Sequence, residues 1–222
     1  MINIAIDGPA GAGKSSLSRK LALNLGYIYV DTGALYRAVG LKFSRLGFDT
    51  SLQGDIAEVL KTTVVDIRFI NDEQRVFLDD ADVSDLIRTP EASMMASAVS
   101  AIPSVRAYLL DMQRQLAKNN NVVMDGRDIG TVVLPDADVK IFLTADVEER
   151  AKRRLLELTE KGEKVTFDEV LADMKQRDYN DSHRAIAPLK QADDAVLADT
   201  TKLDLDGSLR LLEKIVREGT AK

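Results

Sequence analysis

Hydrophobic and polar positions in the first quarter of the chain alternate in the order strand, helix, strand, helix. Two short apolar runs have the length of buried strands, and each precedes a stretch whose apolar residues recur every three or four positions. Gly26 can close the first helix in a left-handed cap, and the second helix stops at Gly47. The predicted elements are a strand at 2–6, a helix at 14–24, a strand at 27–30 and a helix at 32–46. This strand–helix–strand unit predicts a parallel sheet with helices on its faces.

The middle of the chain has a different pattern, in which two strand-like stretches flank a polar turn. Residues 63–70 and 75–78 are strand-like, and Asn71-Asp72-Glu73-Gln74 separates them, so a β-hairpin is predicted. We interpret about 60–103 as a small β-containing insertion into a single α/β domain. The core of that domain would comprise 1–59 and 104–222.

Helix and strand alternate regularly again after Pro103. Apolar residues with helical spacing run up to a break at Asn119-Asn120-Asn121, and buried-strand candidates follow at 122–124 and 139–143. The remaining predicted elements are a charged helix from about 146, a helix that starts with the capping-box sequence 166–169, a strand near 195–198 and a helix through 205–216. The whole pattern predicts an α/β fold with a parallel sheet flanked by helices.

Composition narrows the classes of protein to which the chain can belong. Its 222 residues are 45% hydrophobic and 30% charged, which is typical of a globular chain with a sizeable core. A net charge of −6 argues against binding to DNA, RNA or an anionic membrane, which attract cationic proteins. The absence of Cys excludes disulfides and thiolate catalysis and fits a reducing compartment. We find neither a signal peptide nor an apolar run of about 18 residues, and we expect a cytoplasmic location.

A glycine-rich motif lies between the first predicted strand and the first predicted helix. Gly8–Ser15 reads GPAGAGKS and matches the P-loop pattern G-x-x-x-x-G-K-[ST]. Its backbone N–H groups can surround phosphates, Lys14 can reach the β- and γ-phosphates, and the Ser15 hydroxyl can bind Mg²⁺. The predicted ATP-binding residues are Gly8, Pro9, Ala10, Gly11, Ala12, Gly13, Lys14, Ser15 and Ser16. The motif in this setting predicts an ATP-dependent P-loop enzyme that uses Mg²⁺, with Lys14 as a catalytic residue.

Arginines accompanied by carboxylates occur at three further places, where they could bind the phosphate of an acceptor. Arg37 and Arg127 follow predicted strands, at the sheet edge where ligands of open α/β folds gather. A guanidinium fork suits bidentate binding of phosphate, so we expect both arginines to be functional. Arg177, Asp181 and Arg184 have the spacing of one helix face. Taken alone, Arg177 and Arg184 would be interpreted as members of solvated ion pairs.

A phosphate acceptor needs little proton chemistry. The second pKa of a phosphate monoester is about 6, so its nucleophilic oxygen is mostly ionised near pH 7. The chain has a single His, His183, in a polar stretch where we expect it on the surface. The absence of an obvious general base therefore agrees with phosphoryl transfer to a phosphate.

Two features of the second half have two interpretations each. Asp125, after a buried-strand candidate, is either a Walker B-type carboxylate that organises Mg²⁺ or a turn residue that starts a helix. The charge-dense stretch from Glu148 is either a solvated helix face or part of a lid over ATP at about 148–165. The lid arginines would be Arg150, Arg153 and Arg154.

Several segments together resemble bacterial cytidylate kinases, which are nucleoside monophosphate kinases. These segments are IDGPAGAGKSS, DTGALYR, the mid-chain insertion, VVMDGRDIGTVVLPDADVKIFL and QRDYNDSHRAIAPL. Shikimate and adenylate kinases share the P-loop but do not resemble the later segments. The resemblance covers nearly the whole chain and implies transfer of the γ-phosphoryl group of ATP to CMP or dCMP, in pyrimidine nucleotide metabolism.

The resemblance also implies roles for individual residues. The CMP phosphate would be held by Arg37, Arg127 and Arg184, of which the last two would also be catalytic. Cytosine would be read by Ser97, Arg106 and Asp128, with Thr32 close to the base. The ribose or deoxyribose would be contacted by Arg177 and Asp181. Physical chemistry agrees for Asp128, because a carboxylate accepts a hydrogen bond from the N4 amino group of cytosine, whereas uracil offers another acceptor there.

Three other functions are compatible with parts of the sequence. Thr201-Lys202-Leu203-Asp204 is similar to the guanine-reading motif of GTPases, but the D-x-x-G sequence at 204–207 overlaps it instead of preceding it. A kinase of an unphosphorylated metabolite would need a carboxylate base in place of an arginine-rich acceptor side. A nucleotide-binding module without catalysis would release no ADP with CMP. We therefore expect a monomeric kinase that binds the small molecules ATP and CMP or dCMP, without nucleic acid or membrane partners.

Overall fold

The computed structural model describes residues 1–47, 53–71, 73–160 and 162–221. They form two compact units, one made of 1–29 with 117–222 and the other of 30–116. Asp72 of the predicted turn and Lys161 of the predicted lid lie outside the described residues. The predicted insertion at about 60–103 lies within the second unit, and its role in acceptor recognition stays a prediction.

The helices and strands follow the predicted order closely. The strands are β1 (Asn3–Asp7), β2 (Ile28–Asp31), β3 (Val65–Ile70), β4 (Glu73–Leu78), β5 (Ala81–Asp82), β6 (Val122–Gly126), β7 (Val139–Thr144) and β8 (Val196–Asp199). The α-helices are α1 (Lys14–Leu25), α2 (Thr32–Arg45), α3 (Gln53–Lys61), α4 (Pro90–Ser100), α5 (Pro103–Asn119), α6 (Val147–Glu160), α7 (Phe167–His183) and α8 (Leu205–Thr220). A short π-helix (Ile129–Val133) follows β6. No helix in the described part of the chain is both long and apolar enough to cross a membrane.

The first unit is built on a five-stranded sheet with the strand order β2-β6-β1-β7-β8. β6, β1, β7 and β8 pair in parallel, with Asp7 opposite Gly126 of β6 and Phe142 of β7. Ile4 and Ile6 of the central strand β1 are fully buried, because α1 and α8 pack on this sheet. The predicted α/β fold with a parallel sheet flanked by helices is confirmed.

Local sequence explains where several helices begin and end. Gly26 has a φ of 67° and closes α1, which confirms the predicted left-handed cap. Thr166 and Glu169 form the predicted capping box at the start of α7. Asp204 accepts a hydrogen bond from the backbone N–H of Gly207 at 2.7 Å and caps α8. The segment that is similar to a guanine-reading motif therefore has a structural role.

The second unit contains the predicted hairpin and residues of four helices, α2, α3, α4 and α5, packed around its own core. β3 pairs with β4 in antiparallel orientation, with Val65 opposite Leu78, and β5 extends the sheet. α2 approaches α4 so closely that a Cβ on Gly40 would lie 3.0 Å from the Cβ of Met95. Phe43 is the largest fully buried side chain of this core. The hairpin prediction is confirmed.

Four elements were absent from the sequence-based prediction: α3, α4, β5 and the π-helix. The apolar residues of α4 are mainly Ala and Met, which give no clear stripe in the sequence. β5 has two residues, and the π-helix has five, too few to establish a period. The π-helix is nevertheless important, because it begins directly after Arg127 and Asp128.

Candidate active site

The P-loop lies between β1 and α1 in the first unit. Gly8 packs so closely on β7 that a Cβ would lie 2.0 Å from the carbonyl oxygen of Leu143, so only glycine fits here. Lys14 is buried, and its Nζ donates hydrogen bonds to the carbonyl oxygens of Gly8 and Pro9, both at 2.7 Å. The ammonium group is therefore held against the loop that would surround the phosphates of ATP.

The electrostatic environment of Lys14 includes the arginines predicted to bind the acceptor. Burial lowers the pKa of Lys14 well below its ordinary value of 10.5, and the positive charges of Arg127 and Arg177 lower it further. The negative charges of Asp125 and Asp181 raise the pKa of Lys14. An anionic ligand that approached this cluster would favour the charged form of the lysine.

Asp125 lies inside β6, so it is not the first residue of a helix, and that alternative interpretation is wrong. Its carboxylate accepts hydrogen bonds from the Ser15 hydroxyl at 3.2 Å and from the Tyr29 hydroxyl at 2.9 Å. Ser15 and Asp125 thus place a hydroxyl and a carboxylate side by side at the start of α1. Such oxygen ligands fit Mg²⁺, which proteins bind through one or two side chains together with substrate phosphates. Among the described residues, no group of three or more His, Cys, Asp or Glu side chains could hold a metal ion.

Two arginine–carboxylate pairs lie at the carboxyl end of the sheet. Arg127 donates from Nε to Oδ2 of Asp181 at 2.8 Å, and Arg184 donates from Nη2 to Oδ1 of Asp128 at 3.2 Å. The side chains of Arg184 and Asp128 are only 7% and 6% exposed, so the interpretation of Arg184 as part of a solvated ion pair is wrong. Nε of Arg184 also donates to the carbonyl oxygen of Ala187 at 2.6 Å. These partners hold both guanidinium groups in defined orientations.

The charges on α7 reinforce these pairs. Burial by itself would raise the pKa of Asp181, but Arg127, Arg177 and Arg184 outweigh it and hold the pKa below 3.8. These arginines therefore favour the ionised form of Asp181. His183 is exposed and stacks on the ring of Tyr179 with 4.0 Å between ring centroids, which confirms its predicted surface location.

The remaining predicted acceptor residues belong to the second unit. Asp31 caps α2 through the N–H of Ala34 and accepts from Nη2 of Arg37 at 2.7 Å. Nε of Arg37 is buried and has no hydrogen-bond partner among the described residues. Thr32 is buried in the first turn of the same helix.

Arg106 and Ser97 lie on neighbouring helices of the second unit, α5 and α4. The guanidinium group of Arg106 is buried, lies 5.7 Å from the ring centroid of Tyr36 and donates to the carbonyl oxygen of Ser100 at 3.2 Å. Ser97 is half-buried, and its carbonyl oxygen accepts from the hydroxyl of Ser100. Buried cationic groups of this kind are rare unless paired or used in binding.

The three predicted lid arginines have different surroundings. Arg150 is buried and donates to the carbonyl oxygens of Ala10 and Ala145, and it pairs with Asp178 at 2.8 Å. Arg153 donates to the carbonyl oxygen of Thr200. Arg154 pairs with Glu157 one turn further along α6. Arg150 therefore does not lie on a solvated helix face, and it contacts the ATP-binding loop at Ala10.

Three residues near the P-loop were not identified from the sequence: Asp7, Tyr29 and Asp178. Asp7 accepts hydrogen bonds from two backbone N–H groups at the start of the π-helix. Asp178 accepts from the N–H of Ala10 at 3.3 Å. A carboxylate directly after a buried strand was a usable signal for Asp7, whereas the contacts of Tyr29 and Asp178 depend on distant parts of the chain.

Comparison with known proteins identifies the family. The family model described as cytidylate kinase matches residues 4–218. The chain belongs to the cytidylate kinase family. It is 53% identical to the cytidylate kinase of Caldicellulosiruptor bescii over 97% of this chain and 94% of that protein. It is 48% identical to the cytidylate kinase of Geobacter sp. strain M21 over 99% and 94% of the two chains. The prediction of an ATP-dependent nucleoside monophosphate kinase of this family is confirmed.

A solved structure supports the fold independently. The crystal structure of an uncharacterised protein from Eubacterium ventriosum superposes with a TM-score of 0.54. The alignment covers 98% of this chain and 99% of that one, at 15% identity. At this identity the similarity concerns the fold alone.

Proposed function

We propose that this chain transfers the γ-phosphoryl group of ATP to the phosphate of CMP or dCMP, giving ADP and CDP or dCDP. The observation that carries the proposal is the pair of arginines at the carboxyl end of the sheet that holds the P-loop, Arg127 oriented by Asp181 and Arg184 oriented by Asp128. A kinase of this kind must neutralise the charges of two phosphorylated substrates close together. Membership of the cytidylate kinase family supports cytosine as the acceptor base.

Lys14, Arg127 and Arg184 are the proposed catalytic residues. Phosphoryl transfer depends mainly on positioning and on stabilising charge on the transferred group. Arg127 and Arg184 are each oriented by one carboxylate, Asp181 and Asp128 respectively. Such orientation reduces the conformational freedom that each guanidinium group loses when phosphate binds. These residues stabilise a charge that is already present, so the reaction requires no general base.

The proposed acceptor contacts of the first unit are Arg127 and Arg184 for the phosphate, Asp128 for cytosine, and Arg177 and Asp181 for the sugar. Oδ1 of Asp128 accepts from Nη2 of Arg184 at 3.2 Å, and the side chain of Asp128 is only 6% exposed. The buried carboxylate would accept from the cytosine N4 amino group and disfavour uracil, whose O4 is another acceptor.

The second unit would supply Arg37 for the phosphate and Thr32, Ser97 and Arg106 for the base. Family resemblance supports these four roles. For Arg37 there is also a structural argument, because its buried Nε has no hydrogen-bond partner among the described residues, and a buried donor of this kind normally has one. The insertion at about 60–103 would serve the same recognition.

Mg²⁺ would be bound by Ser15, with Asp125 beside it. The metal, when bound, neutralises charge on the phosphates of ATP. The hydrogen bond between Ser15 and Asp125 orients the hydroxyl oxygen, and the hydroxyl of Tyr29 holds the second carboxylate oxygen. Tyr29 therefore restricts the rotation of Asp125 and keeps the carboxylate near the hydroxyl group.

We also propose that 148–165 acts as a lid over ATP through Arg150, Arg153 and Arg154, excluding water during transfer. A monomeric cytoplasmic enzyme agrees with a chain that carries a net charge of −6 and no Cys. The same negative charge supports the absence of nucleic acid and membrane partners.

A coupled assay of ADP release tests the proposed reaction directly. The purified chain is supplied with ATP and Mg²⁺ and with CMP, dCMP, UMP, AMP or shikimate in turn. Fast turnover with CMP and dCMP alone is expected. A Lys14→Ala variant serves as the control for contaminating kinases. Turnover with a different acceptor would refute the assignment of the cytosine contacts, and no turnover with any acceptor would refute the proposed activity.

A further inference from the structure

One carboxylate joins the two peptide segments that carry the proposed donor and acceptor residues of the first unit. Asp7 is the last residue of β1 and precedes Gly8 of the P-loop. Its Oδ1 accepts from the N–H of Ile129 and its Oδ2 from the N–H of Gly130, both at 2.7 Å. These N–H groups directly follow Arg127 and Asp128 in the chain.

The two N–H groups are the first donors of the π-helix. The first turn of a helix leaves N–H groups without partners inside the helix, and the side chain of the residue before it commonly caps them. Asp128 occupies that position, yet its side chain forms no capping hydrogen bond. It contacts Arg184 instead. Asp7 caps the π-helix from outside, so the cap does not depend on the carboxylate of Asp128, which accepts from Arg184.

The residues around Asp7 and Gly130 are closely packed, so the two segments have little room to shift. Asp7 is 5% exposed. A Cβ at Gly130 would lie 3.2 Å from Cδ of Lys140 and 3.4 Å from Oδ2 of Asp7. Short hydrogen bonds from the two backbone N–H groups to a buried carboxylate, in such close packing, fix the position of the backbone that follows Asp128. Lys14 and Asp128 both lie close enough to influence the charge of Asp7.

We propose that Asp7 is a positioning residue of the phosphoryl transfer, which holds Arg127 and Asp128 in register with the P-loop by capping the π-helix. It touches neither substrate and acts through the backbone of Ile129 and Gly130. The inference rests on the proposed roles of Arg127 and Asp128 in binding the acceptor. Displacing these two residues relative to the P-loop misaligns the phosphates, which reduces the rate even when each substrate still binds.

The test is an Asp7→Asn variant. Asparagine has nearly the same shape as aspartate, but one carboxylate oxygen is replaced by an NH₂ group, a donor that would face a backbone N–H donor. The matched control is Asp138→Asn. Oδ2 of Asp138 accepts from the N–H of Asn3 at 2.7 Å, at the opposite end of the same strand. kcat, KM for CMP and the Kd for ATP in the absence of CMP are measured for the native chain and both variants.

We expect Asp7→Asn to lower kcat by roughly tenfold or more and to raise KM for CMP about fivefold. The Kd for ATP should change by less than about threefold, because the P-loop keeps its own N–H groups and Lys14. Asp138→Asn should behave as the native chain does. Native-like kinetics in Asp7→Asn would overturn the proposal. Equal losses of ATP and CMP binding would also overturn it, because they would indicate general damage to the P-loop.

A second variant decides the matter if Asp7→Asn fails to fold. Gly130→Ala introduces a methyl group against Oδ2 of Asp7 and the side chain of Lys140. It should give a smaller change of the same kind, a lower kcat and a raised KM for CMP at nearly constant ATP affinity. Unchanged CMP kinetics in this variant would overturn the proposal. Failure of the native chain to phosphorylate CMP is a separate result that refutes the proposed function itself.

Discussion

Replacing Asp7 with asparagine should also remove a component of the pH dependence of stability. Burial raises the pKa of Asp7 from 3.8 to about 6, and the N–H groups of Gly130 and Ile129 offset this only in part. Between about pH 4 and pH 6 the folded protein therefore binds a proton at Asp7 that the unfolded chain has lost. The stability contributed by this proton is fully present below pH 4 and is lost as the pH rises through 6.

The expected magnitude follows from the two pKa values. A difference of about 2 between the folded and unfolded pKa corresponds to about 3 kcal/mol over the whole titration. Of this, about 1.3 kcal/mol falls between pH 7 and pH 5. The free energy of unfolding of the native chain, minus that of Asp7→Asn, should therefore increase by about 1.3 kcal/mol as the pH falls from 7 to 5.

Urea unfolding of both proteins at pH 7, 6 and 5 measures this difference by linear extrapolation. Other titrating groups are common to both proteins, so their contributions largely cancel in the difference. The charged groups that influence the pKa of Asp7 are Asp128, which raises it, and Lys14, which lowers it. A difference that stays constant over this range, or one that decreases as the pH falls, would refute the assignment of a raised pKa to the buried carboxyl group.

Three further substitutions test the proposed site. Asp128→Ala should reduce CMP turnover far more than it weakens ATP binding, because the carboxylate is proposed to recognise cytosine. Equal losses of CMP turnover, measured by steady-state kinetics, and of ATP affinity, measured by titration, would argue against that role. Arg127→Ala should lower kcat by a factor of about 10²–10³ and weaken CMP binding, because charge develops on the transferred group. An unchanged kcat would mean that Arg127 only positions the acceptor. Ser15→Ala should raise several-fold the Mg²⁺ concentration needed for half-maximal activity, measured by Mg²⁺ titration. Ser18→Ala is the control, since that buried hydroxyl has no hydrogen-bond partner among the described residues, and an equal shift in it would contradict the assignment.

Features set by neighbouring residues could be predicted from the sequence. The P-loop requires glycines and a lysine at fixed spacing, and the capping box at Thr166 needs only four residues. Apolar runs such as 122–124 identified the central strands because parallel strands covered on both faces are apolar throughout. The order of the elements and the fold class followed from these local patterns.

Features set by distant contacts could not be predicted in this way. Arg127 and Asp181 are 54 residues apart, and any of several carboxylates could have been the partner of that arginine. The residues around Arg150 in the sequence are charged, as in an exposed helix. Arg150 is nevertheless buried, because it pairs with Asp178 and donates to the carbonyl oxygen of Ala10. The cap that Asp7 supplies to the π-helix spans more than 120 residues of chain and involves only backbone N–H groups, which no side-chain pattern reveals.

The contacts of Arg150 have a mechanical consequence for any movement of α6 and α7. Arg150 and Asp178 both hold the backbone of Ala10, one through its carbonyl oxygen and the other through its N–H. Beyond this attachment, Leu158 and Val170 pack the two helices against each other. Ala10 is therefore the point at which both helices attach to the phosphate-binding loop. A displacement of either helix at this attachment would be transmitted to the loop through these hydrogen bonds, so the positions of α6 and α7 are coupled to the geometry of the phosphate-binding loop.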